Sequence, residues 1–200
     1  MTVTERPRAP ALSPGERRAA IVAATLPLLL ERGIGVTTKQ IADAAGIAEG
    51  TIFRVFPDKN ALLGAVIDAA ADTSVAEAAI AAIDPTLPIE RQIEEAVRVL
   101  QRRVLEIWQL VSTVLDTDAF RGRRGRKPAE ITALIEWFER HRDIIRADPR
   151  PAARALQGLT VGVSHPVLYG DEPMAPDDIT RLFLDGLRVR GKRVGKAVSC

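Results

Sequence analysis

The chain is poor in the residues that most often carry chemistry. Its 200 residues hold one cysteine, two histidines and eight aromatic side chains. A lone Cys200 excludes an internal disulfide framework. It also excludes a cysteine-based zinc site within one chain, because such sites need several thiolates. Long apolar runs are missing too. The uncharged apolar runs Ala19–Leu30, interrupted by Pro27, and Gln157–Gly170 fall short of the ~18 to 20 residues that cross a bilayer. The segment Met1-Thr2-Val3-Thr4-Glu5-Arg6-Pro7 has no apolar centre of the signal-peptide kind. The expectation is a cytoplasmic protein without a membrane span. A large charge of one sign is absent as well: 28 Lys+Arg oppose 26 Asp+Glu, for a net +2. What is present, 46% hydrophobic and 27% charged residues, suits an ordinary folded chain.

Every periodic apolar segment repeats at three to four residues, the helical period. No strand alternation, hairpin dipeptide or internal repeat stands out. The pattern predicts an all-α fold of about nine helices. Residues 1–13, with Pro7 and Pro10, read as a flexible arm. Ser13-Pro14-Gly15-Glu16 has the residues of a helix start: cap, first-turn proline and capping-box acid. Pro27 interrupts its apolar pattern and should bend the helix locally, and Gly33 and Gly35 end it. A short helix follows over Lys39–Ala45, then a break at Gly46. Another spans about Glu49–Phe56 and stops at Pro57. Asp58 caps a longer helix expected to run from Lys59 to about Ile83. Ile89–Leu115 fits one long helix or two. Asp116–Lys127 reads as a charged loop, Pro128 as the start of a helix reaching Ile145, and Pro151–Ser164 and Asp177–Arg190 as the last two long helices. Gly191–Cys200 is a basic tail.

Two short helices around Gly46, with small residues Ala42 and Ala45 where they cross and Ile47 and Ile52 plugging the angle, have the makings of a helix-turn-helix. In that motif the second helix enters the major groove. The segment resembles the DNA-binding domain of the tetracycline-repressor-like (TetR) family of transcriptional regulators. The resemblance rests on Thr37-Thr38, Ile41-Ala42, Ala45-Gly46-Ile47, Gly50-Thr51-Ile52-Phe53, Phe56-Pro57-Asp58-Lys59 and Ala61-Leu62-Leu63.

The resemblance implies an N-terminal three-helix DNA-binding domain over 14–58 and a helical ligand-binding and dimerisation domain over 59–190. Thr38 and Lys39 would hold phosphates, Thr51 and Phe53 would meet the DNA backbone, and Lys59 would clamp a phosphate. Glu49, Gly50, Arg54 and Ala48 would face the bases. Two residues depart from the family pattern. Phe53 stands where tyrosine is usual, which removes one phosphate hydrogen bond. Glu49 is acidic in a negative groove; it either accepts from a cytosine amino group or holds Arg54 or Lys39 in place.

The family's last two long helices pair with their twins in a homodimer. Here that role would fall to Ala155, Leu156, Leu159 and Val163 on one helix and Ile179, Leu182, Phe183 and Leu187 on the other, unless these stripes pack only within one chain. Family members usually hold a small, often hydrophobic effector and leave DNA when it binds. Trp108, Val111, Leu115, Leu134, Trp137, Phe138, His141, Leu159 and Tyr169 are candidate pocket walls or plain core. Trp137, His141 and Tyr169 are the polar-handled members of that set. No cofactor or metal is implied.

Charge is distributed to suit a nucleic-acid partner. Residues 1–66 hold eight basic and six acidic side chains, and the remainder twenty of each. Arg6, Arg8, Arg17 and Arg18 lie along phosphates, enter a minor groove, or are merely solvated. The run Arg121-Gly122-Arg123-Arg124-Gly125-Arg126-Lys127 is a solvated loop or, by the family's topology, an auxiliary phosphate contact. The expected function is a ligand-released repressor that binds a palindromic operator as a homodimer. A helical protein-binding adaptor is the alternative, but it leaves the Gly50–Lys59 segment unexplained. An enzyme is not expected. His141-Arg142-Asp143 has kinase-loop order but lacks the accompanying asparagine and glycine-rich loop.

Overall fold

The computed structural model describes residues 13–123, 129–170 and 172–187. The N-terminal arm through residue 12, the basic positions 124–127, Leu187's side chain and the basic tail lie outside the described residues. Among those described there are eleven α-helical segments, one 3-10 turn and no strand. Nine of the helices have seven or more residues. No helix among them is long and apolar enough to cross a membrane. The chain divides into two compact units. One comprises residues up to Ala71 together with the segment from Gln109; the other comprises Asp72–Trp108 and the part of the chain after the basic run.

In the first unit, α1 (Pro14–Arg32) opens with a complete capping box: the Ser13 N–H donates to Glu16 Oε2 at 2.8 Å, and the Glu16 N–H donates to Ser13 Oγ at 3.2 Å. It continues through the exposed Pro27 and buries Ile21, Thr25 and Leu29. The Thr25 hydroxyl, fully buried, donates to the Ile21 carbonyl. Gly33, at φ 65°, ends the helix in a conformation that side-chain-bearing residues rarely adopt. A 3-10 turn (Gly33–Gly35) leads into α2 (Thr38–Ala45), α3 (Glu49–Val55) and α4 (Lys59–Ala70). Their core is Ile21, Leu29, Val36, Ile41, Ile52, Phe56, Leu62 and Val66, with Leu110, Val114 and Ala119 from later in the chain.

The helix expected from Lys59 to Ile83 is two helices. α4 stops at Ala70, and α5 (Ser74–Ala81) begins after a break. The Asp72 carboxylate accepts from the Ser74 N–H at 2.8 Å. This local bond competes with the helical ladder and starts a new helix, as Asp and Ser favour. α6 (Ile89–Val114) is one continuous helix, which resolves the choice left open by the sequence. The expected loop after it contains a single turn, α7 (Asp118–Arg121), capped by Thr117.

The second unit is closed by α8 (Thr132–Arg140), α9 (Pro149–Ser164), the turn α10 (Pro166–Tyr169) and α11 (Pro176–Leu187). Here α8 starts and ends inside the limits expected from Pro128 and Ile145. Ile131 provides no side-chain cap. Instead the Glu77 carboxylate, on α5, accepts from the Thr132 and Ala133 N–H groups at 2.7 Å each. Ile80, Ile93, Val97, Leu134, Trp137, Phe138, Leu156, Ile179 and Phe183 form the centre of this unit.

Candidate DNA-reading site

The segment from Thr37 to Lys59 is built by three local devices. Thr37 caps α2 reciprocally with Gln40: the Gln40 N–H donates to Thr37 Oγ1 at 3.2 Å, and the Thr37 N–H donates to Gln40 Oε1 at 2.9 Å. Gly46 ends α2 at φ 66°, ψ 32°, the left-handed conformation that glycine adopts without a Cβ penalty. The Ile47 N–H then donates to the Ala42 carbonyl at 3.0 Å, which turns the chain into α3. Ile41 and Ile52, both essentially inaccessible, and the half-buried Ile47 fill the angle between the two helices.

With those residues turned inward, α3 presents Glu49, Gly50, Phe53 and Arg54 to solvent, together with Lys39 on α2. Phe53 is 50% exposed. A Cβ at Gly50 would meet nothing within 4 Å, so this part of the surface is open. Thr38, Thr51 and Lys59 are partly buried. Lys59 Nζ donates to the Ile34 carbonyl at 2.6 Å. An ammonium carries three donors, so two are left for an anion. Asp58 caps α4 beneath it, accepting from the Ala61 N–H at 2.7 Å.

Glu49 has a different partner from the two weighed on the sequence. The Thr38 hydroxyl donates to Glu49 Oε1 at 2.5 Å. Neither Lys39 nor Arg54 forms an ion pair with it among the described residues. Eleven positions separate Thr38 from Glu49, and helical periodicity carries no signal for such a bond across a turn. Arg18 is also employed internally: its guanidinium carbon lies 4.4 Å from the centroid of the buried Phe56 ring, a cation–π contact. A groove of about 850 Å³, bordered by Arg17, Arg18, Ala48, Thr51 and Arg54, opens between the start of α1 and α3.

Residues 21–66, which span this motif, match the family model for bacterial regulatory proteins of the tetR family. That match covers the helix-turn-helix segment, which is similar to the DNA-binding region of the TetR family. The family is one of DNA-binding transcriptional regulators, and the helix-turn-helix is its DNA-binding element. No curated protein matches the chain. Solved structures share its fold. A protein from Mesorhizobium loti, classed with TetR-family transcriptional regulators, is 20% identical with a TM-score of 0.71, covering 90% of this chain and 100% of that one. A TetR-family regulator from Pseudomonas syringae pv. tomato is 16% identical with a TM-score of 0.57, over 88% of this chain and 98% of that one. NalD of Pseudomonas aeruginosa, the secondary repressor of the MexAB-OprM multidrug efflux pump, is 22% identical with a TM-score of 0.52, over 88% and 97%. At these identities the likeness is one of fold.

The second unit distributes the remaining expected residues among three environments. Leu134, Trp137 and Phe138 are buried in the core. Trp137 Nε1 donates to Gln92 Oε1 at 2.8 Å, and the His141 ring stacks on the Trp137 ring at 4.1 Å. Trp108 lies apart from that group, 4.2 Å from the ring of His165. Tyr169, 47% exposed, borders a surface cleft of about 400 Å³ with Met174 and Leu182. Val111 and Leu115 belong to the first unit. Of the residues expected at a dimer interface, Leu156, Ile179 and Phe183 are core residues of the chain itself, Leu159 and Val163 are half-buried against them, and Ala155 is exposed. Leu182 is 56% exposed.

Sequence reasoning missed a polar cluster in this unit. Gln101 donates to Ser164 Oγ at 3.1 Å and to the Met174 carbonyl at 2.8 Å. Thr160 Oγ1 and His165 Nδ1 are buried without a hydrogen-bond partner among the described residues. Thr160 and Ser164 share a face of α9 at a four-residue spacing, but nothing in the pattern tells a buried hydroxyl from an exposed one. Among the described residues no group of three or more His, Cys, Asp or Glu side chains is arranged to hold a metal ion.

Proposed function

We propose that the chain is a transcriptional repressor that binds a two-fold-related operator as a homodimer and leaves it when a small apolar effector binds. One observation carries the reading: the turn at Gly46 buries the apolar side of α3 and leaves Glu49, Gly50, Phe53 and Arg54 on its open side. A helix of this kind in a major groove meets base edges with its N-terminal residues. Residues 14–58 would then be the reading domain, and 59–190 the effector and dimer domain. Lys39, Thr51 and the unused donors of Lys59 face phosphates, and Arg54 faces bases. No catalytic step is assigned, and the protein acts in the cytoplasm where its DNA is.

The dimer face is formed by the open sides of α9 and α11. Val161 is 38% and Leu182 56% exposed, and added Cβ atoms at Gly158, Gly162 and Gly186 would meet nothing within 4 Å. Small residues next to exposed aliphatic ones let a second copy approach closely. Two such heads can read half-sites about 34–36 Å apart. The effector contacts are assigned to the second unit, which holds Trp108, Trp137, His141 and Tyr169. Binding there shifts a population between DNA-competent and released dimers.

A gel-shift titration against the DNA flanking the protein's own gene tests the reading, with sedimentation velocity on the free protein. A saturable, salt-sensitive complex of two chains per operator is expected. A monomer that forms no specific complex with any genomic fragment overturns it.

A further inference from the structure

We propose that Glu49 is a specificity-determining residue that accepts a hydrogen bond from a cytosine amino group, and that Thr38 positions it instead of holding a phosphate. The inference deepens the DNA-reading proposal and rests on it.

A hydroxyl group carries one proton. That of Thr38 is already given to Glu49 Oε1 at 2.5 Å. While that bond stands, the Thr38 side chain has no donor for a phosphate oxygen. The bond instead ties the first residue of α3 to the first residue of α2 and restricts the Glu49 carboxylate to one side of the turn. Glu49 itself is exposed. Its Oε2 has no protein partner among the described residues, and no Lys or Arg side chain there neutralises it.

A held, uncompensated carboxylate on the face that enters a groove between two rows of phosphates is repelled unless it meets a donor. Only two bases offer one in the major groove, cytosine through N4 and adenine through N6. Adenine sets its N7 acceptor beside N6, which opposes the lone pairs of a carboxylate. Cytosine has no acceptor of its own next to N4 on that edge. The geometry therefore points to cytosine opposite Glu49 in each half-site. The open surface at Gly50, where a Cβ would meet nothing within 4 Å, lets the base edge come close.

The test is selection of bound DNA from a randomised operator library. It uses the full-length wild type, Glu49→Gln, Glu49→Ala and Thr38→Val, each followed by titration on the selected sites. Circular dichroism and urea midpoints check that each variant is folded. The wild type should require cytosine at one position per half-site, with about a tenfold loss for each other base there. Glu49→Gln should move that requirement to adenine, because a glutamine amide matches the adenine N6 and N7 pair. Glu49→Ala and Thr38→Val should relax the same position and leave the others intact. An unchanged motif in Glu49→Gln overturns the proposal. So does uniform weakening of all sites by Thr38→Val with the cytosine requirement retained, since that is the mark of a phosphate contact. If the wild type selects no motif at all, this proposal and the DNA-reading one fall together.

Discussion

Gly64 lies in the middle of α4, where an alanine would ordinarily stabilise the helix by about 1 kcal/mol. Here the substitution should do the opposite. A Cβ at this position would stand 2.6, 2.7 and 2.8 Å from Nη2, Nη1 and Cζ of Arg123, all closer than packed atoms tolerate. The guanidinium would have to leave. It now donates from Nε and Nη2 to the two carboxylate oxygens of Asp68, at 2.8 and 2.6 Å, and from Nη1 to the Ala119 carbonyl at 2.9 Å. With the Asp68 side chain 45% exposed, solvent screening holds the ion pair to about 1 kcal/mol. The bond to the carbonyl adds about 1 kcal/mol more. Losing about 2 and gaining about 1 leaves Gly64→Ala destabilised by about 1 kcal/mol. In an Arg123→Ala background nothing has to move, and the same change should stabilise by about 1 kcal/mol. The double-mutant cycle, read from urea unfolding midpoints at constant slope, should therefore return a coupling near 2 kcal/mol. Equal stabilisation by Gly64→Ala in both backgrounds would show that Arg123 adapts without loss, and would refute the reasoning. The sequence left Arg123 in a run read as a solvated loop or an auxiliary phosphate contact; in the structure its guanidinium pairs with Asp68.

Three further outcomes follow from side chains of the second unit. The buried Glu94 carboxylate is held below its ordinary value chiefly by the hydrogen bond from Arg98 at 2.5 Å, with Arg91 assisting and burial opposing. Its contribution is present above the unfolded value of about 4.5 and fades as pH falls through the lower folded value. Glu94→Gln should thus be less stable than wild type at pH 7, and urea midpoints should converge below pH 4.5; a constant gap across that range would count against the pairing. Thr160→Val replaces a buried, unpartnered hydroxyl and should raise stability by about 1 kcal/mol in chemical denaturation; a loss would mean that the hydroxyl has a partner. Leu182→Glu places a charge on an exposed apolar position and should shift sedimentation from dimer to monomer with the helical content retained; an unchanged dimer would place the interface elsewhere.

The parts legible in the sequence were those fixed by neighbours. The Ser13–Glu16 capping box, the left-handed Gly46 and the apolar steps of α6 are properties of a few consecutive residues, and they appear where the pattern puts them. The break between α4 and α5 was missed although its cause is local. Asp72-Thr73-Ser74 interrupts a run whose alanines are all good helix formers, and composition over a window outweighed one Asx turn. At the reading site the packing of Ile47 and Ile52 was read from the residues and the outward set of α3 from the family resemblance, whereas the Thr38–Glu49 bond and the bond from Lys59 to the Ile34 carbonyl came from neither. Those contacts depend on how two elements cross, which periodicity within each element does not encode. The same holds for the Gln101 and Trp137 side-chain bonds, whose partners lie 45 to 73 positions away.

The cap that Glu77 provides for α8 bears on the order in which the second unit assembles. At nine residues, α8 is too short to persist alone in water. Its first N–H groups find their acceptor on a carboxylate 55 to 56 positions earlier in the chain. During synthesis α5 emerges before α8. α8 in turn gains its N-terminal bonds only by docking. Capping of α8 is therefore a nonlocal step, which waits on its encounter with α5.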